Sequence, residues 1–266
     1  MAQPTNTDRV RQVVVTLAEV FCVVGTLVGV GVLGTRVQET AGGALSAEAT
    51  RIAPAGPAFS IWSVIYLGLL AYAVWQWLPR NATSPRTRST GWLAATSMVL
   101  NAAWLLVTQQ GWIWVSVVVI VALAVVLGLL VRGLTQHPAS DTIERVVVDG
   151  TFGLYLGWVA VASCANVTAA FVSSGVQPSA GVSDVLAVVV LAVAAALGLI
   201  LAATLGGRYA VAVAMAWGLG WIAVGRLTSE PDSTVTAVAA GIAAVVVLIA
   251  AAWRHSRGAP RTAAVS

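Results

Sequence analysis

Three stretches of this chain run for 43, 34 and 28 residues without a charged side chain, between Arg88 and Arg132, Asp149 and Asp184, and Arg51 and Arg80. About 20 predominantly apolar residues are enough to cross the hydrocarbon core of a bilayer, so each stretch can hold at least one crossing. A soluble domain carries about 25% charged residues; here 9% of 266 residues are charged and 59% are hydrophobic. A soluble globular fold is excluded, and the expected fold class is all-α, a polytopic transmembrane helix bundle.

Apolar runs separated by loop signals place about eight spans, at 12–34, 58–79, 90–110, 112–134, 150–175, 184–206, 208–226 and 234–253. The seventh is short, but Arg208 and Arg226 at its ends can snorkel to the headgroups. All 14 basic residues are arginines. With both termini cytoplasmic, eleven of them (Arg9, Arg11, Arg80, Arg86, Arg88, Arg132, Arg145, Arg208, Arg254, Arg257 and Arg261) fall inside, and Arg36, Arg51 and Arg226 fall outside. Removing the seventh span would move Arg254, Arg257 and Arg261 outside, against the positive-inside rule. The expectation is a multi-pass protein of the cytoplasmic membrane with tails at 1–11 and 254–266, the first ten residues and the segment after Arg254 being disordered. The all-arginine, Ala/Val/Gly-heavy usage suggests a GC-rich bacterial genome. A net charge of +4 spread this way implies no nucleic-acid partner; the bilayer itself is the expected partner.

Several motifs resolve to bland readings. Arg9 and Arg11 precede an apolar run, but that run is too long for a signal peptide and is interrupted by Glu19. Gly29, Gly31 and Gly34 spell G-x-G-x-x-G without the strand that a dinucleotide site needs. Gly25 and Gly29 instead form G-x-x-x-G, a close-packing face that is also a candidate homo-oligomer contact. Asn166-Val167-Thr168 matches a glycosylation acceptor inside a span. Cys22 and Cys164 read as buried thiols, His137 and His255 as solvated, and no metal-ligand spacing occurs. No nucleophile with a histidine partner and no paired carboxylates are present, so no catalytic residues, no metal and no required cofactor are expected.

Two acids stand out. Glu19 falls some seven residues into the first expected span, about 10 Å deep; an intramembrane carboxylate is costly and points to a proton relay, with pairing to Arg132 as the structural alternative. Asp149 is expected at the start of the fifth span, where a helix dipole favours a negative charge.

The eleven tryptophans divide by position. Trp75, Trp77, Trp92, Trp112, Trp114 and Trp253 lie at span ends, as belt residues do. Trp62, Trp104, Trp158, Trp217 and Trp221 lie further in. Phe59, Trp62 and Tyr66 share a face of the second span, Asn101 and Trp104 a face of the third, and Trp158, Ala162 and Asn166 a face of the fifth. With alternating span directions these residues converge in the outer half of the membrane. Spacing alone leaves two readings open: asparagine glue in a ring-filled core, or an aromatic pocket with a few polar anchors.

The run Pro57-Ala58-Phe59-Ser60-Ile61-Trp62-Ser63-Val64-Ile65-Tyr66 resembles the second helix of the translocator protein family, also known as tryptophan-rich sensory proteins or peripheral benzodiazepine receptors. Leu100-Asn101-Ala102-Ala103-Trp104 resembles its third helix, and Leu156 to Asn166, with Trp158 eight residues before Asn166, its fifth. The resemblance covers roughly residues 12–175. It implies a five-helix bundle whose pocket takes porphyrins, haem-like tetrapyrroles, sterols or synthetic aromatic compounds, under a cover formed by residues 35–57. Carried over, Trp62, Tyr66, Asn101, Trp104, Trp158, Ala162 and Asn166 would line or support that pocket, with Phe59 beside them. Leu105, Leu106, Val107 and Thr108 depart from the prolines and aromatic residues common in the family after the helix-three tryptophan. Three further spans, 176–253, follow the five. Leu219-Gly220-Trp221-Ile222-Ala223-Val224 echoes Leu156 to Val161, a faint sign of an internal repeat for which chance is as good an explanation.

These readings imply a membrane protein that binds a hydrophobic planar small molecule, tetrapyrrole-like, for transport or sensing. The alternative is a small proton-coupled secondary transporter using Glu19; a scaffold subunit without a ligand is a third reading.

Overall fold

The computed structural model describes residues 3–258, and these residues form eight long apolar helices without strands. They are α1 (Asn6–Gly29), α2 (Ile61–Trp75), α3 (Pro85–Gln109), α4 (Ile113–Gln136), α5 (Thr151–Ser173), α6 (Ala180–Thr204), α7 (Tyr209–Thr228) and α8 (Thr234–Gly258). Helices are the economical solution in hydrocarbon, because each backbone N–H and C=O is satisfied within its own segment. Even crossing brings the start of α1 and the end of α8 to one end of the bundle, called here the terminal end. The segment joining α1 to α2 lies at the opposite, loop end.

Local chemistry sets the helix limits. Thr5 and Asp8 form a capping box, the Asp8 N–H donating to Thr5 Oγ1 at 3.3 Å and the Thr5 N–H donating to Asp8 Oδ2 at 3.0 Å. The helix therefore begins at Asn6, and the tail expected over 1–11 is corrected: Asp8 and Arg11 are buried at 2.9 Å from each other, with Arg88 on the same carboxylate. At the other terminus α8 runs on through Arg254 and Arg257, so the expected tail is helical up to 258; Arg261 lies outside the described residues. Gly31, at φ 82°, takes the chain out of α1 in a left-handed conformation that suits glycine. The G-x-G-x-x-G run thus ends a helix and starts a turn, where the sequence had suggested a helix interior.

Pro85 opens α3 at a position where its missing N–H costs nothing. Before α5, Asp141 caps a short turn at Thr142–Glu144, which passes through a π-turn (Arg145–Gly150) directly into the long helix. This corrects the place of Asp149, which sits two turns into the continuous helical run Thr142–Ser173, just before α5, and not at the start of that run. Its carboxylate accepts from Arg86 at 2.6 Å and from Arg208, while Glu144 lies 3.1 Å from Arg86. Ion pairing, and not a helix dipole, accounts for an acid at that position.

The packing runs α1 on α3, α3 on α4, α4 on α5, α5 on α7, α7 on α8 and α8 on α6, with α2 laid against α5 and α1. Between lipid-immersed helices close van der Waals contact replaces the hydrophobic effect as the main attraction. Gly25 shows this: a Cβ there would fall 2.9 Å from the Ala102 Cβ, and one at Gly29 would collide with Leu105. The G-x-x-x-G face is therefore consumed within the chain, against α3, and is not available as the oligomer contact suggested by sequence. Valines such as Val118, Val125 and Val193 are exposed on the outer faces, as lipid-facing residues would be. Trp77, Trp92, Trp112, Trp114 and Trp253 are exposed near helix ends. Trp75 is the exception: at 6% exposure it is buried and stacks on Tyr72, so it belongs to the core and not to the belt.

Candidate functional site

Near the loop end, α3, α5, the 3-10 turn Gly56–Ser60 that leads into α2 and the connection between α1 and α2 border a mostly apolar cavity. Phe59, Trp104, Trp158, Ala162 and Asn166 line it. Phe59 and Trp158 meet edge to face at 5.7 Å between ring centroids, a geometry favoured by the ring quadrupoles. On one side a hydrogen-bond chain fixes the polar wall: Trp104 Nε1 donates to Asn166 Oδ1 at 2.8 Å, Asn166 Nδ2 donates to Ser116 Oγ at 3.0 Å, and Ser116 Oγ donates to the Ile113 carbonyl at 2.7 Å. Three helices are thereby locked together at the asparagine. Trp158 is buried and its indole N–H has no protein acceptor.

The other three expected residues stand behind this wall and do not line the cavity. Trp62 stacks on Tyr66 at 5.1 Å and meets Trp158 and Tyr155 edge-on at 6.2 and 5.9 Å. Tyr66 Oη in turn accepts from Asn101 Nδ2 at 3.1 Å, and the same amide reaches Cys22 Sγ at 3.4 Å. These residues brace the Trp158 ring instead of presenting a surface of their own. The two asparagines, which spacing placed in one constellation, thus serve two separate layers.

Glu19 lies elsewhere. It is thirteen residues into α1, about 20 Å along the helix from its first residue at 1.5 Å per residue, and two turns beyond the polar stretch Asp8–Gln12. It is 3% exposed and neither carboxylate oxygen has a hydrogen-bond partner, whereas Arg132 is exposed. The expected Glu19–Arg132 pairing is absent.

The cavity is roofed by the connection between α1 and α2. Val37, Ala44, Leu45, Ser46, Thr50, Ala53 and Pro54 of this connection also line it; the family resemblance implied a cover here but did not choose these residues, since loop residues carry no helical spacing signal. Ala165 and Ala169, one helical turn apart on the same face of α5 as Ala162, also line the cavity, and their alanine register was the available clue.

The additional helices hold the roof in place. The Ala55 N–H donates to the Trp221 carbonyl at 3.2 Å and Trp217 Nε1 donates to the Ala58 carbonyl at 2.9 Å. Arg226, 1% exposed, donates to the Ala47 carbonyl at 3.0 Å and to the Pro231 carbonyl at 2.7 Å. Arg51 pairs with Asp184 at 2.7 Å, and Ser233 Oγ donates to the same Asp184 oxygen. Gln109 of α3 ties down the start of the loop through Thr35, donating to its carbonyl at 2.7 Å. So fastened, the roof leaves a cavity of about 60 Å³. That is room for a few waters only, where sites for drug-sized ligands measure about 300–1,000 Å³.

Comparison with curated proteins and with solved structures returned no match. The sequence profile of the family described as TSPO-like protein matches residues 13–253. That match runs through all eight helices, so α6, α7 and α8 lie within the family region and are not an appendix to it. The aromatic wall, the helix order and a match over well more than half of the chain lead to one assignment: the chain belongs to the TSPO-like protein family, and it is a multi-pass helical membrane protein.

Proposed function

We propose that this protein binds a hydrophobic planar small molecule, tetrapyrrole-like, between Phe59, Trp104, Trp158 and the Asn166 wall, and either moves it across the membrane or reports its level. The observation that carries this reading is an aromatic cavity with one polar side, roofed by the α1–α2 connection. The unpartnered Trp158 N–H supports it, since a buried donor without an acceptor costs about 1–3 kcal/mol that a ligand acceptor would recover. At about 60 Å³ the cavity is too small for such a ligand with the roof closed, so binding requires the loop to lift.

The test is a titration of purified protein with protoporphyrin IX, read by tryptophan quenching, beside Trp158→Ala and Asn166→Leu. Saturable quenching that both folded variants lose or weaken supports the reading. Equal affinity in a folded Trp158→Ala protein would remove the cavity assignment. Asn166→Leu also strips the acceptor from the Trp104 indole, a loss of about 0.6–1.7 kcal/mol by the scale of interhelical hydrogen bonds in membranes, so its fold is checked in parallel.

A second reading, proton-coupled transport, is favoured by Glu19, a deeply placed acid without a partner. Glu19→Gln should then abolish pH-driven uptake into vesicles; uptake equal to that of the unaltered protein would end this reading.

A further inference from the structure

A second and much larger hollow lies beside the roofed cavity. It is a groove of about 560 Å³ between the loop-end halves of α5 and α6, a volume within the range of small-molecule sites. It exists because α6 leans on α8 and touches α5 only sparsely. Its walls include Val167 and Phe171 of α5 and Leu186 and Val190 of α6. Val190 is six residues beyond Asp184, so the groove runs about 9 Å along α6 from its rim into the apolar part of the helix. Its rim is polar, with Gln177 and the Arg51–Asp184 pair.

The groove and the roofed cavity share one wall. Thr50 borders both, is buried, and its hydroxyl has no hydrogen-bond partner. Its neighbours divide between the two spaces, Arg51 and Ile52 facing the groove and Ala53 and Pro54 the cavity. A buried hydroxyl without a partner, standing in the partition between two hollows, is free to pair with a polar group on either side.

We propose that this groove is a seat for a bilayer-dissolved amphiphile, with its apolar body between α5 and α6 and its polar end at the rim, and that it is the lateral route to the roofed cavity. The proposal rests on the ligand reading above and adds where the ligand comes from. A molecule with an apolar body partitions into the bilayer, and the groove opens to that phase. The step that follows is displacement of the Ala49–Pro54 partition, which the Thr50 hydroxyl assists by taking up a hydrogen bond from, or giving one to, the passing polar end.

The experiment uses the full chain in lipid nanodiscs and protoporphyrin IX as the probe, with association and release followed by stopped-flow tryptophan quenching. Val190→Trp fills the groove; Val189→Trp adds the same ring on an exposed position of the same helix. Leu186→Trp, at a partly exposed wall position, serves if Val190→Trp does not fold. The expected result is that groove filling slows association and release together, by about two- to tenfold, the scale of moving one ring out of its rotamer well. The dissociation constant should stay within about twofold, since a route enters both rates equally, and Val189→Trp should leave the rates unchanged. Unaltered rates in both groove variants would overturn the proposal, as would weakened binding with unaltered association. If the unaltered protein shows saturable binding that Trp158→Ala loses while the groove variants keep its rates, the lateral route alone falls. If it shows no saturable binding, the ligand reading falls and the route with it.

Discussion

Binding in the roofed cavity requires the loop to leave its closed position, so releasing one of its fastenings should tighten binding. Arg226→Met is the informative change because it keeps most of the buried stem and removes the donor. One of its two hydrogen bonds, to the Ala47 carbonyl at 3.0 Å, joins α7 to the roof; the other, to Pro231, stays on the α7 side. A hydrogen bond from a charged donor contributes about 1.5–3 kcal/mol. At about 1.36 kcal/mol per factor of ten, losing the Ala47 bond raises the open fraction roughly 10- to 150-fold. Apparent affinity scales with the fraction of binding-competent molecules while that fraction is small, so the protoporphyrin IX dissociation constant should fall by the same factor. The Ala47 carbonyl, left without its donor in the closed state, pushes in the same direction. Arg51→Gln provides the graded comparison: its pair with Asp184 is 19% and 28% exposed, and partly exposed pairs contribute about 0–1 kcal/mol, so the gain should be a few-fold at most. Affinity comes from fluorescence titration and roof opening from amide hydrogen exchange over residues 44–55. Faster exchange and tighter binding, larger for Arg226→Met than for Arg51→Gln, are expected. Unchanged exchange, or weaker binding by a folded Arg226→Met protein, would refute the reasoning.

Two further predictions concern the frame. Gly25→Leu should lower thermal stability in detergent without altering the oligomeric state, because its added side chain would meet Ala102 of the same chain; overpacking of this kind costs about 1–3 kcal/mol, and a changed particle mass with unchanged melting would contradict it. Asp149→Ala leaves Arg86 and Arg208 without a shared carboxylate at the terminal end; breaking a buried pair costs about 3–5 kcal/mol, reduced here by Glu144 beside Arg86, and melting should fall accordingly, with Asp149→Glu retaining more stability than the alanine.

Much of the frame was legible because hydrocarbon is a demanding solvent. A charge-free run longer than a bilayer is thick leaves few options, and the eight spans and their order follow from it. The misplacements came where polar chemistry competes with hydropathy. Thr5 and Asp8 start α1 before its apolar run, and a helix containing Glu144, Arg145 and Asp149 precedes the apolar part of α5; both are stabilised by arginines from other helices. Likewise the small-residue face at Gly25 and Gly29 was readable as close packing, but its partner was not, since any helix with a small residue at the matching height can fill it.

The helical spacing of Phe59, Trp62 and Tyr66, of Asn101 and Trp104, and of Trp158, Ala162 and Asn166 placed each group on a common face of its own span, and that much the sequence by itself determined. Which of them face a cavity and which stand behind it was decided by tertiary structure, because a shift of one helix by a fraction of a turn exchanges wall for support. The size of the cavity, its fastened roof and the groove beside it were also decided there. They depend on distances between segments remote in the chain, Ala47 to Arg226 and Arg51 to Asp184, and periodicity within a segment carries no information about such distances.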